Sequence, residues 1–116
     1  MMDRKELRRQ YKETPRPAGV FVVRNTVDGK ALVGTSLNLP GMLNRVRFEL
    51  ECHSSPFPQL QADWDRLGDG AFDFEVLDTL EPSDDLTADP ADDLAELLAM
   101  WLDKLALPAE RLYTRP

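Results

Sequence analysis

The chain has 116 residues, 42% of them hydrophobic and 30% charged, with one cysteine, one histidine and a formal net charge of −7. That length suits one domain burying roughly 65% of its unfolded surface, and a single Cys52 with a single His53 excludes a disulfide framework and a structural zinc site. The acidic balance removes whole-molecule attraction to nucleic acid, no apolar run approaches the roughly 18 residues of a membrane span, and the charged opening is no signal peptide, so a soluble cytoplasmic protein is expected.

Charge is unevenly spread, with residues 1–50 at net +5 and residues 51–116 at net −12. A basic binding face and an ordinary solvated surface are both compatible with that split. Residues 2–13 are helix formers with Leu7 and Tyr11 on one stripe, and Pro15 and Pro17 then force an extended link. A short basic helix is predicted there, with Lys5, Arg8, Arg9 and Lys12 outward.

Residues 19–24 and 30–34 are β-rich runs around Asp28-Gly29, a dipeptide that supplies the positive φ of a tight turn, and they predict a β-hairpin. Turn residues follow to Asn38, and Pro40 then suits the first turn of a helix. Leu39, Met42, Leu43, Val46 and Leu50 keep the spacing of one buried helical face, with Arg45 and Arg47 on its flanks. Beyond Pro56 and Pro58, residues 59–67 form a second stripe of Leu60, Trp64 and Leu67, stopped by Gly68 and Gly70. Residues 71–77 alternate apolar with acidic, which predicts a strand with one wet face.

Eight carboxylates between positions 78 and 96 invite a metal site, but no calcium-loop pattern is present. Capping accounts for them better: Asp89 caps, Pro90 opens the helix, and Asp92 and Asp93 sit at its positive end. That helix buries Leu94, Leu97, Leu98, Trp101 and Leu105, and the chain from Pro108 on reads as irregular. The predicted organisation is a basic helix and Pro-rich link over 1–17, a domain over 18–107, and a tail over 108–116.

The run Gly19-Val20-Phe21, then Asp28-Gly29-Lys30, then Leu32-Val33-Gly34 through Leu39, resembles the GIY-YIG nuclease family. Leu60-Gln61, Trp64, Gly68, the block from Phe72 to Leu77 and the closing Trp101 to Leu105 extend the resemblance over about residues 18–106. It implies an α+β fold, a small three-stranded antiparallel sheet flanked by helices, here with an extra N-terminal helix. Members of the family cut phosphodiester bonds with one divalent ion. They need a phenol near the scissile phosphate, an arginine for charge developing on phosphoryl oxygens, and a glutamate for the metal.

Carried over by position, those groups are missing. The first tyrosine falls on Phe21, the second on Leu32, the arginine on Met42, the histidine on Val46 and the glutamate on Leu98. The resemblance places all five around one cleft, which would then be apolar. Glu96 lies about 200° around the helix from Leu98 and is a poor replacement; Arg45 and His53 are the candidate substitutes. The leading expectation is a non-catalytic domain that binds a protein partner, a second copy or a small apolar ligand through an apolar cleft, with no cofactor. One alternative is a rearranged endonuclease using Mg²⁺ or Mn²⁺. Another is DNA binding without cleavage through Arg24, Lys30, Arg45 and Arg47.

Overall fold

In the computed structural model, residues 17–80 and 90–113 are described. The expected N-terminal helix over 2–13 and the expected cap at Asp89 lie outside them. The elements run β1 (Ala18–Asn25), β2 (Lys30–Ser36), α1 (Leu39–Glu51), α2 (Pro58–Leu67), β3 (Phe72–Leu80) and α3 (Pro90–Leu105), with single 3-10 turns at Asp69–Ala71 and Ala109–Arg111.

The sheet is wholly antiparallel, in the order β2-β1-β3. Its hairpin turn is wider than the Asp28-Gly29 pair suggested. Four residues, 26–29, connect the strands, and only Gly29 takes a positive φ, of 75°. Asn25 is the reason: its Oδ1 accepts from the backbone N–H groups of Val27 and Asp28, both at 3.0 Å, so its side chain builds the turn. Asn38 does similar work at the start of α1, where Oδ1 accepts from Gly41 N–H at 3.2 Å and Pro40 occupies the first turn.

The two-residue period of β1 divides the protein into layers. Phe21 and Val23 point to the face covered by α1 and α2, where they join Leu32, Leu39, Val46, Leu50, Leu60, Trp64 and Phe72 in one core. Val20 and Val22 point to the other face and are fully buried. Helix α3 packs across all three strands there, and Trp101 Nε1–H donates to Asp78, the register partner of Val20, at 3.0 Å. A bulge between Val20 and Phe21 keeps Asp78 on the α3 side. It also brings the Asp78 carbonyl so close to Gly19 that a Cβ there would sit 2.0 Å from the oxygen.

The segment from Pro108 is not the irregular tail that its composition suggested. Ala106, at φ 50°, turns the chain out of α3. Leu112 then bridges to Ala31 on the outer edge of β2, and Tyr113 is buried in the α1 and α2 core. Among the described residues, no helix is long and apolar enough to cross a membrane.

Candidate functional site

The five positions where the resemblance expects catalytic groups do not converge on one cleft. Phe21 pairs with Gly34 and lays its ring over it, close enough that a Cβ on Gly34 would be 2.9 Å from Cζ. Leu32 pairs with Val23 on the same face, and Val46 reaches that face from α1. Phe21, Leu32 and Val46 are only 4%, 5% and 6% exposed. Met42, half-buried, packs against them. The expected apolar cleft is corrected here: alternation along β1 and β2 directs these side chains under α1 and α2, so they are core and not an open floor. Leu98 belongs to α3, whose layer lies across the sheet, and it is not part of this cluster.

Chemically, the cluster offers no proton donor or acceptor. Leu98 presents no oxygen, and among the described residues no three His, Cys, Asp or Glu side chains come together as ligands. The side chains present do not fit the divalent ion that the resemblance implies.

Each basic candidate has an intramolecular commitment. Arg24 pairs with Glu75 across the strands, Lys30 Nζ lies 3.5 Å from Asp63, and Arg45 makes an i,i+4 pair with Glu49 at 3.4 Å. Arg47 stacks its guanidinium 4.4 Å over the Phe74 ring. His53, in a left-handed conformation just beyond α1, turns Nδ1 to Asp65 of α2 at 2.9 Å, and Asp65 also accepts from Gln61. Cys52 beside it is a free, exposed thiol.

The most developed polar arrangement was missed from sequence. Tyr113 donates its hydroxyl to buried Asp63 at 2.7 Å and accepts from Asn25 Nδ2 at 3.1 Å. Arg66 bonds both Asp63 and Asp28, the latter of which also accepts from Asn25. Burial pushes the Asp63 carboxyl up, but the Tyr113 hydroxyl, Arg66 and Lys30 together outweigh it and hold the group below its ordinary range. Tyr113 is raised, by burial first, despite the Asn25 bond, and then by the adjacent Asp63 carboxylate. Asp63 was legible in part: with Leu60, Trp64 and Leu67 it shares the apolar stripe of α2, where a carboxylate needs a partner. Nothing in the local sequence pointed to Tyr113, 50 residues away.

Structural comparison finds the same fold in two solved structures. The catalytic domain of the homing endonuclease I-TevI superposes with a TM-score of 0.65 at 20% identity, over 83% of this chain and 95% of that one. A mutant of the same catalytic domain gives 0.66 at 19% identity, over 84% and 92%. The fold is that of a GIY-YIG nuclease catalytic domain. From sequence, no family model and no curated protein match the chain. The GIY-YIG resemblance therefore holds at the level of architecture, where strand order, hairpin and helix sequence coincide.

Proposed function

We propose that this chain is a GIY-YIG-fold domain that does not cut phosphodiester bonds and works as a protein-interaction module. One observation carries the reading. Where the family places two tyrosines, an arginine and a histidine, this chain has Phe21, Leu32, Met42 and Val46, and three of the four are packed into the core. A positioned acid or base contributes about 10²–10⁴-fold, and each electrostatic donor about 10²–10³-fold. Losing several together removes the greater part of any rate enhancement. The interaction half is supported by β3, a nine-residue strand at one end of the sheet order whose outer edge has no strand partner among the described residues. Unpaired edges are templates for association.

The test is nicking of supercoiled plasmid by the purified protein with Mg²⁺ or Mn²⁺, with EDTA and Arg45→Ala as controls, alongside sedimentation to detect self-association. No metal-dependent nicking is expected. Nicking abolished by EDTA and by Arg45→Ala would overturn the reading and make Arg45 a replacement phosphate clamp.

A further inference from the structure

A cavity of about 220 Å³ lies between the turn of the hairpin and the C-terminal end of α3. Ala31, Leu105 and Leu107 give it apolar walls, and Arg24, Gly29 and Lys30 close it on the hairpin side. The chain carries 21 carboxylates and a net charge of −7, yet among the described residues Arg24 and Lys30, and no carboxylate, line this space. Arg24 and Lys30 are already paired with Glu75 and Asp63, which balance their charges.

Arg111 supplies the free charge. Its Nη1 is 3.6 Å from where a Cβ on Gly29 would stand, so the guanidinium lies against a residue that lines the cavity. Among the described residues it has no carboxylate within ion-pair distance, unlike Arg24, Arg45 and Arg66. The left-handed turn at Ala106 ends α3 between two of the cavity's walls, Leu105 and Leu107, and the 3-10 turn that follows carries Arg111 to the hairpin.

We propose that this cavity is a binding site for a small amphipathic carboxylate, its apolar body against Ala31, Leu105 and Leu107 and its head reaching past Gly29 to Arg111, which borders the cavity there. The planar guanidinium matches a carboxylate with two parallel hydrogen bonds. The volume lies below the roughly 300 Å³ at which drug-sized pockets begin, which restricts the ligand to a medium-chain fatty acid or a single-ring aromatic acid. Uncharged apolar molecules would leave the guanidinium unused, and inorganic anions would leave the apolar walls unused. The site is independent of the proposed loss of nuclease chemistry.

The experiment is a titration of the ¹⁵N-labelled full chain with octanoate and with phenylacetate, followed by amide shifts, with octan-1-ol as the uncharged counterpart. At least one acid is expected to give saturable shifts confined to residues 24–31 and 105–111. Arg111→Gln, an exposed substitution, should weaken that binding about tenfold or more while leaving the melting temperature unchanged. Arg111→Lys should restore part of it, and octan-1-ol should bind at least tenfold more weakly than octanoate. Absence of saturable shifts with both acids, shifts centred elsewhere, or equal affinity in Arg111→Gln would overturn the proposal. So would octan-1-ol binding as well as octanoate.

Discussion

Replacing Tyr113 with phenylalanine isolates one hydroxyl in the polar knot that ties the C-terminal segment to the sheet. The ring keeps its place in the core, where only 4% of the residue is exposed, while the 2.7 Å bond to Asp63 disappears. A hydrogen bond to a charged acceptor contributes about 1.5–3 kcal/mol. Asp63 retains Arg66 at 3.3 Å and Lys30 at 3.5 Å, and Asn25 retains Asp28 at 3.1 Å. The loss should therefore fall near 2 kcal/mol, or about 8 °C in melting temperature. Urea unfolding at pH 7, followed by the fluorescence of Trp64 and Trp101, measures it.

The pH dependence gives a second check on the same bond. The folded pKa of Asp63 is lowered, so the unfolded state binds more protons on the acid side. The stability that Asp63 contributes is present above about pH 4 and is lost as pH falls through its folded value. Because the Tyr113 hydroxyl is one cause of the lowering, the deficit of Tyr113→Phe should shrink from pH 7 toward pH 3. On the alkaline side Tyr113 itself is raised in the folded state. The wild type should then lose stability as pH climbs above about 10, and the variant should lose less. A deficit below about 0.5 kcal/mol at pH 7, or one unchanged at pH 3, would refute the argument.

Gly34→Ala must push against the ring of Phe21 and should cost about 1–3 kcal/mol in denaturant unfolding. Gly19→Ala meets backbone at the bulge instead of a side chain, and should destabilise more than Gly34→Ala in the same assay. Val46→His, which places a histidine where the resemblance expects one, puts a polar ring at a position only 6% exposed and should cost about 3 kcal/mol. The control Arg45→His on the same helix, at an exposed position, should stay within about 0.5 kcal/mol. Ala106→Gly relieves a left-handed backbone at the end of α3 and should raise the melting temperature, by about 1 kcal/mol of stability; no gain would mean that the turn is held without strain.

Much of the fold could be read locally. The apolar stripe of α1 from Leu39 to Leu50, the stops at Gly68 and Gly70, and Pro90 opening α3 all lie within one or two turns of the residues they govern. So do the β-rich runs around Asp28-Gly29, and these elements coincide with their predicted positions within one to three residues. Their order was enough to suggest the GIY-YIG architecture, and the superposition on I-TevI agrees.

Sequence by itself determined those elements because hydrogen-bond periodicity, proline geometry and glycine conformation act over a few residues. The tertiary structure alone decided which layer each apolar stripe entered. An apolar residue on a strand or helix can serve a cleft or a core equally well, and packing of α1 and α2 over one sheet face made Phe21, Leu32 and Val46 core while Leu98 went with α3. The same holds for Tyr113 on Asp63 and for Arg111 over Gly29, pairs separated by 50 and 82 positions. No local rule links such residues: their contacts form only when the chain leaving α3 is folded back around the outer edge of β2.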